Sequence, residues 1–211
     1  MSAPSLKVVV AVTSSTAFEI LNKRSILHAS FAVARAFTME TGLKTHLALA
    51  VEDVSKVKDF TCEILECDPS NPVSLAQAIS RSTPCDLVAI HDSQRPLTRT
   101  TQFHRAVEAL IGDVHAVRPA SAFTETLKAI ADDGVIVRTI DRTSMLRIST
   151  PEVVRFSAID FLGSGSTWFV PLKADATTST VDADPESLRV NSVADIALME
   201  AFIHWQQTIA Q

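Results

Sequence analysis

A short apolar run that changes at once to polar and charged residues constrains the fold of this chain more than any other feature. Residues 87–90 read Leu-Val-Ala-Ile, which is typical of a strand buried on both faces. Residues 91–95, His-Asp-Ser-Gln-Arg, follow directly, and Pro96 blocks further strand pairing. Ligands of open parallel sheets bind just beyond the carboxyl ends of the strands. The stretch therefore predicts either a ligand-binding strand end or an ordinary strand that stops in a polar turn.

Two side chains of this segment have the chemistry of a phosphate site. An Asp at a strand end can hold a divalent cation through its oxygens, so Asp92 is a candidate metal ligand. An Arg can bind a phosphate through two parallel hydrogen bonds, which makes Arg95 a candidate anion-binding residue.

Strands and helices are predicted to alternate along the first half of the chain. Apolar strands are predicted at residues 7–12, 45–51, 62–65, 87–90 and 115–119, and helices at 25–38, 52–60, 72–81 and 100–111. This alternation is typical of an α/β fold with a doubly wound, mostly parallel sheet. The sequence shows no internal boundary, so residues 1–211 are predicted to form a single domain.

The second half of the chain departs from the alternation. Residues 126–131 and 135–141 flank a turn that contains Gly134, and they predict a β-hairpin arm at about residues 124–150. A two-stranded hairpin is barely stable alone, so the arm should pack on its own domain or on a second subunit. Beyond it, the pattern predicts a partly helical stretch, two short strands and a last helix, at residues 151–159, 167–172, 177–181 and 192–207.

Charge and cysteine content exclude several classes of partner. The net charge of -5 disfavours a nucleic-acid partner, because nucleic-acid-binding proteins usually carry a basic face. No apolar run is long enough to span a bilayer, so we expect no membrane partner. Cys62, Cys67 and Cys85 match no zinc-binding spacing and cannot all pair, which predicts buried, reduced thiols in a cytoplasmic protein.

Five short motifs follow one another in the second half of the chain. They are His-Asp-Ser-Gln-Arg-Pro at 91–96, Thr-Leu-Lys at 126–128, Asp-Arg at 141–142, Thr-Pro-Glu at 150–152 and Arg-Val-Asn at 189–191 with Asp195 beyond. Their order resembles the 2-C-methyl-D-erythritol 4-phosphate cytidylyltransferases of the non-mevalonate isoprenoid pathway. That family has His-Asp-Ala-Ala-Arg-Pro, Thr-x-Lys, Asp-Arg, Thr-Pro-Gln and Lys-Val-Thr at these places. The resemblance implies a Rossmann-like nucleotidyltransferase fold with a hairpin arm swapped between the subunits of a homodimer.

The resemblance also implies an activity and a role for each matching residue. The family transfers CMP from CTP to methylerythritol phosphate, releases diphosphate and needs Mg²⁺. Asp92 would bind the cation, and Arg189 would replace a lysine that stabilises the transferring phosphate, so these two are the candidate catalytic residues. The sugar phosphate would be held by Arg95, Thr126, Arg142 and Thr150, with Thr126 and Arg142 supplied by the partner subunit. Taken singly, each of these residues also fits an ordinary structural role.

The part of the family's site that holds the nucleotide is altered in this chain. The family carries a loop with Gly, Arg and a catalytic Lys after its first strand, whereas residues 13–21 contain none of these and add Glu19. A second family element, Gly-Gly-x-x-Arg-x-x-Ser, aligns with residues 67–74 and keeps only Ser74. Ser14 and Ser74 therefore remain as the candidate nucleotide-binding residues.

Three functions are consistent with this pattern. The first is a cytidylyltransferase, either working with other nucleotide ligands or impaired because its phosphate-binding loop is lost. The second is a non-catalytic homologue that binds a sugar phosphate or acts as a regulatory dimer partner. The third is a structural or interaction protein without a small-molecule site. Removing one preorganised donor typically costs ~3 kcal/mol of transition-state stabilisation, so the loss of a whole loop predicts impairment.

Overall fold

The computed structural model describes residues 4–163 and 167–209, which contain β-strands, α-helices and short 3-10 turns. The strands are β1 Ser5–Ala11, β2 Ile20–Leu21, β3 Arg24–Ser25, β4 Lys44–Val51, β5 Glu63–Glu66, β6 Leu87–Asp92, β7 Ala116–Ala122, β8 Leu127–Ile130, β9 Ile136–Ile140, β10 Leu146–Ile148, β11 Glu152–Arg155 and β12 Thr178–Asp182. The helices are α1 Ile26–Glu40, α2 Pro72–Arg81, α3 Thr100–Glu108 and α4 Val193–Ile209.

One mixed sheet forms the centre of the molecule and confirms the predicted fold class. Its strand order is β10-β7-β11-β6-β1-β4-β5, with β12 paired to β7. Strands β6, β1, β4 and β5 are parallel to one another, whereas β11 runs antiparallel to both β6 and β7, between which it lies. The chain leaves β1 towards β4 on one side and returns to β6 on the other. The carboxyl ends of β1 and β6 thus form a topological switch point, where Ala11 lies beside Asp92.

Two apolar layers cover the faces of the sheet. Helices α1 and α3 cover one face, where the Phe37 and Phe103 rings lie 5.1 Å apart. On the other face, Leu75 and Ile79 of α2 pack against the parallel strands. Phe103 also lies 5.0 Å from the His91 ring, so this core extends directly behind the end of β6.

Replacing Phe103 with alanine should lower the free energy of unfolding by ~3–5 kcal/mol, because its fully buried ring would leave a cavity. Chemical denaturation followed by circular dichroism measures this loss. Phe202→Ala is the control, since Phe202 is only partly buried on α4 and should cost clearly less. Equal losses for the two variants would show that the core behind β6 is not packed as described.

Three local predictions were wrong, and a fourth, the partly helical stretch at residues 151–159, was right only at Phe156–Ala158. Residues 52–60 hold only a 3-10 turn at Val54–Val57, and α3 ends at Glu108 rather than near residue 111. Residues 151–159 form β11 followed by a 3-10 turn, because the β-branched pair Val153-Val154 is buried between β6 and β7. Residues 167–172 are not a regular strand: Pro171 has no N–H, and the N–H of Phe169 donates to a side chain.

Two further predictions concerned the state of the three cysteines and the presence of membrane-spanning segments. Cys62, Cys67 and Cys85 are free, as predicted, but they are half-buried rather than buried. Burial raises the pKa of Cys62 and of Cys67 to about 11, so these thiols stay protonated at neutral pH. Among the residues that the structure describes, no helix has the length and apolar content that crossing a membrane requires.

The predicted hairpin is present and leaves apolar surface uncovered. Strands β8 and β9 pair only with each other among the described strands, and Gly134 takes the left-handed conformation in their turn (φ 83°). Ile130 and Ile136 face each other across the pair and are 66% and 62% exposed. An exposed apolar pair on a marginally stable element indicates that something else covers it.

Candidate functional site

Asp92 ends β6 at the switch point and anchors a cluster of polar side chains. Its carboxylate is buried and accepts hydrogen bonds from Arg189 Nε at 2.6 Å and from the Gln94 N–H at 3.0 Å. The Asp92 N–H donates to Thr150 Oγ1 at 3.2 Å. The structure thus brings together three predicted site residues, Asp92, Thr150 and Arg189, that are distant in the sequence.

Arg189 bridges the strand end to the loop that follows β1. Besides Asp92, its guanidinium donates to Gln94 Oε1, to Thr13 Oγ1 and to Asn191 Oδ1, so four of its five N–H groups are engaged. The side chain remains one-third exposed (33%), so part of the charge faces solvent. A guanidinium held by fixed acceptors is a preorganised anion site, because no further ordering is needed when a phosphate binds.

Gln94 is a site residue that the sequence reasoning missed. Its side-chain N–H and its backbone carbonyl bond to the backbone of Val190, the neighbour of Arg189. Gln94 therefore fixes Arg189 at two places: its bonds to Val190 hold the adjacent backbone, and its Oε1 holds the guanidinium. The family motif has alanine at this place, so the change to an amide was the signal that could have identified it.

Arg95 lies beside this cluster but uses its donors elsewhere. Its guanidinium donates to the backbone carbonyls of Ser187 and Ile148, and Nε lies 4.0 Å from Asp92 Oδ2. Burial lowers its pKa, and the Asp92 carboxylate opposes that shift. In this arrangement Arg95 ties the base of the arm to the segment before α4, and its phosphate-binding role stays a prediction.

Thr150 is held by a short chain of buried groups. Its hydroxyl lies 2.9 Å from His91 Nδ1, and its carbonyl accepts from Gln102 Nε2 at 2.6 Å. Burial lowers the pKa of His91 to about 4, so the imidazole is neutral at physiological pH. His91 therefore supports Thr150 as an uncharged partner, and its other ring nitrogen has no hydrogen-bond partner among the described residues.

Two predicted residues lie at the base of the arm. Thr126 precedes β8 and Arg142 follows β9, and both side chains are exposed. Arg142 donates to the carbonyl of Thr124, within the arm. The Asp92 cluster of the same subunit is built from other segments, so the predicted roles of Thr126 and Arg142 depend on a second subunit.

The segment after β1 forms a turn instead of a glycine-rich cradle. Ser15–Phe18 is a 3-10 turn, and the predicted nucleotide-binding residue Ser14 caps it by accepting the N–H of Thr16 at 3.2 Å. The other one, Ser74, accepts the N–H of Asp68 at 3.2 Å in the first turn of α2. Both hydroxyls have local structural partners, and their nucleotide roles stay predictions.

The cavity beside this turn carries the wrong charge for a triphosphate. It has a volume of about 300 Å³ and is lined by residues that include Ser14, Glu52, Asp53, Asp68 and Lys56. Hydrogen bonds from Ser55 and Ser70 lower the pKa of Asp53 and of Asp68, respectively, so both are ionised at neutral pH. Three carboxylates against one ammonium repel a polyanion.

Glu19, which was predicted to supply negative charge near the nucleotide, is exposed and is not among the residues that line this cavity.

A second cleft of about 380 Å³ opens directly on the Asp92 cluster. Its charged lining residues are Asp92, Glu152 and Arg189. Aromatic and proline side chains form much of the remaining wall, contributed by Pro69, Pro72, Trp168 and Phe169. The cleft therefore combines one fixed cation, two carboxylates and apolar surface, which suits a small hydroxylated ligand with a single anionic group.

The described residues do not form a preformed Mg²⁺ site. No group of three or more His, Cys, Asp or Glu side chains in residues 4–163 and 167–209 is placed to hold a metal ion. Both oxygens of Asp92 already accept hydrogen bonds, one of them from a guanidinium. Mg²⁺ needs several oxygen ligands in octahedral geometry, which a single engaged carboxylate does not supply.

Comparisons with known proteins point to one family. A sequence profile described as 2-C-methyl-D-erythritol 4-phosphate cytidylyltransferase matches residues 69–164. The protein of that name from Caldicellulosiruptor bescii is 40% identical over 78 residues, which cover 36% of this chain and 33% of that protein. A bifunctional IspD/IspF enzyme of Oleidesulfovibrio alaskensis is 26% identical over 129 residues, or 56% of this chain and 32% of the enzyme. The chain thus spans about a third of the length of these curated relatives.

Solved structures show the same fold over nearly the whole chain. The 4-diphosphocytidyl-2C-methyl-D-erythritol synthase of Anaerococcus prevotii superposes with a TM-score of 0.75 at 17% identity, covering 95% of this chain and 99% of that one. The 2-C-methyl-D-erythritol 4-phosphate cytidylyltransferase of Thermus thermophilus gives 0.69 at 18% identity, covering 92% and 98%. At this identity the superpositions establish the fold.

Proposed function

We propose that this chain is a member of the 2-C-methyl-D-erythritol 4-phosphate cytidylyltransferase family that binds a phosphorylated polyol and transfers CMP from CTP only at a severely reduced rate. The polyol phosphate is methylerythritol phosphate or a close relative of it. The observation that carries the proposal is the contrast between two neighbouring cavities. One holds a guanidinium fixed by Asp92, Gln94 and Thr13, and the other is lined by three carboxylates.

Arg189 supplies the positive charge for the phosphate of the polyol. Asp92 and Gln94 hold the guanidinium at the strand end, and one N–H, on Nη1, is left to donate to a phosphate oxygen. Phosphoryl and nucleotidyl transfer depend on positioning and on charge stabilisation rather than on protein nucleophiles. The same arginine would therefore serve both binding of the acceptor and the residual transfer reaction.

CTP binding lacks equivalent support. Ser14 and Ser74 offer hydroxyl groups that are already engaged, and Lys56 is the one cation among three carboxylates in the lining of the cavity. Mg²⁺ enters the proposal only as the ion that CTP would bring with it, since Mg²⁺ is usually bound through substrate phosphates.

The arm supports a homodimer, and the family resemblance implies a cytoplasmic protein. Its uncovered Ile130 and Ile136 need a partner surface, and a second subunit would also bring Thr126 and Arg142 towards the cleft. The same exposed pair favours a second candidate function, a non-catalytic dimer partner that binds the sugar phosphate and modulates an active relative.

An assay of diphosphate release tests the proposed impairment. With CTP, methylerythritol phosphate and Mg²⁺, we expect a rate at least ~10³-fold below that of the Thermus thermophilus protein assayed under the same conditions. This factor is expected because the loss of one or more preorganised hydrogen-bond donors weakens transition-state stabilisation. A rate within ~10-fold of that control would reject the impairment.

A further inference from the structure

Glu152 is a buried carboxylate that fastens two separate segments. It begins β11 and pairs with Ile90 of β6 in the sheet register. Its Oε2 accepts the N–H of Phe169 at 2.7 Å, and its Oε1 lies 3.2 Å from Arg118 Nη2. Both oxygens thus meet donors from elements far away in the sequence, β7 and residues 167–170.

Arg118 extends this contact to the aromatic wall of the cleft. Its guanidinium lies 3.4 Å from the centroid of the Trp168 ring and donates to the carbonyl of Thr167 at 3.0 Å. Arg118 and Glu152 are both buried, so their charges are tolerable only because they are paired and hydrogen-bonded. The pair therefore fixes the position of Trp168 and Phe169 beside the Asp92 cluster.

A glutamine could not make the same set of contacts. Its amide has one acceptor oxygen and two N–H donors, whereas Arg118 and the Phe169 N–H both require an acceptor. The family motif has glutamine where this chain has Glu152, so the fastening described above is a property of this chain.

The chemistry of the cleft around Glu152 selects a class of ligand. A carboxylate offers about four lone-pair positions, so Glu152 keeps acceptor capacity beyond its two present contacts. Trp168 and Phe169 provide apolar surface next to it, and Arg189 is the one cation among the residues that line the cleft. Such a cleft accepts hydroxyl donors and C–H groups and tolerates a single anionic group.

We propose that Glu152, Arg118 and Trp168 form a specificity wall for the carbon chain of the bound polyol. In this arrangement Trp168 packs against C–H groups, and Glu152 accepts a hydrogen bond from a hydroxyl remote from the phosphate. The inference rests on the proposed function and deepens it, because it separates recognition of the polyol chain from recognition of the phosphate by Arg189.

Trp168 itself provides the signal for the test. The chain contains two tryptophans, so Trp205→Phe leaves Trp168 as the single reporter. Fluorescence titrations in this background use methylerythritol phosphate and inorganic phosphate as the two probes. They are run at pH 8, because burial raises the pKa of Glu152 to about 7 and the carboxylate must be ionised.

Glu152→Gln should weaken methylerythritol phosphate binding by ~10-fold, the effect of one hydrogen bond to a charged group, and change inorganic phosphate binding less than ~2-fold. If both probes weaken equally, or neither changes, the specificity wall is wrong while the proposed function stands. If neither probe binds the unsubstituted background, the proposed function fails and the inference fails with it.

A second variant keeps the test decisive if Glu152→Gln loses stability. Trp168→Phe retains an aromatic ring and is titrated by calorimetry, with Trp205→Phe as the matched control. Methylerythritol phosphate should bind ~3–10-fold more weakly to Trp168→Phe alone, since less apolar surface contacts the polyol. Equal affinities of the two variants would overturn the role of Trp168.

Discussion

Replacing Arg189 with methionine is expected to weaken polyol phosphate binding by ~10- to 100-fold. One N–H of the guanidinium, on Nη1, is left for phosphate, and a charge-assisted hydrogen bond from it contributes ~1.5–3 kcal/mol. Methionine keeps similar apolar length and removes the charge. Isothermal titration calorimetry with methylerythritol phosphate measures the change in affinity.

The same substitution should also affect folding, because the buried Asp92 carboxylate would lose its hydrogen bond from Arg189 and keep only the longer contact with Arg95 Nε, at 4.0 Å, as a charged partner among the described residues. Losing that hydrogen bond costs ~1–3 kcal/mol, which chemical denaturation can resolve. Arg35→Met is the matched control, since Arg35 is exposed on α1 and should change neither quantity. Undiminished binding by the Arg189 variant would show that the phosphate lies elsewhere.

Introducing charge on the exposed face of the arm is expected to convert the proposed dimer into a monomer. Ile130→Glu combined with Ile136→Glu removes two apolar side chains per subunit, and two-fold symmetry doubles the loss. Burying one isoleucine contributes ~1.5–3 kcal/mol, so the dissociation constant should rise by at least ~10³-fold. Analytical ultracentrifugation at micromolar concentration measures the assembly state.

The arm variant should also lose affinity for the polyol phosphate if Thr126 and Arg142 act across subunits. Met39→Glu serves as the control, because Met39 is an exposed apolar residue on α1, outside the arm. A monomeric unsubstituted protein at the same concentration would contradict the swapped-arm arrangement outright.

Elements that depend on local rules could be predicted from the sequence. The apolar run at β6 ends where polar residues begin, and the switch point follows from the alternation of strands and helices. The last helix begins at a capping box, where Asp195 accepts the N–H of Ser192 and Ser192 accepts that of Asp195. Such short-range hydrogen bonds are encoded within a few residues.

Elements that depend on distant partners could not be predicted in this way. Val153 and Val154 form a strand because β6 and β7 flank them, and their β-branched side chains were a weak local signal that the helical interpretation outweighed. The same limit applies to the site. Gln94 acts on Arg189, and Glu152 pairs with Arg118, across long sequence separations that only the folded chain closes.

The charge around the cavity beside Ser14 shows most clearly how a prediction from one segment differs from the folded arrangement. The sequence indicated the loss of glycine and basic residues from one segment, and it assigned the added negative charge to Glu19. The folded chain instead gathers Glu52 and Asp53 after β4 with Asp68 after β5. Loop residues from separate strands meet because the carboxyl ends of parallel strands lie at one edge of the sheet.

Calorimetric titration of one protein sample with two ligands tests the central claim most directly. Methylerythritol phosphate alone should give saturable binding. CTP with Mg²⁺ should give no saturable heat up to ~1 mM, which means a dissociation constant above ~1 mM and a binding free energy smaller in magnitude than ~4 kcal/mol. Tight binding of CTP that depends on Mg²⁺, or failure of the polyol phosphate to bind, would contradict the account.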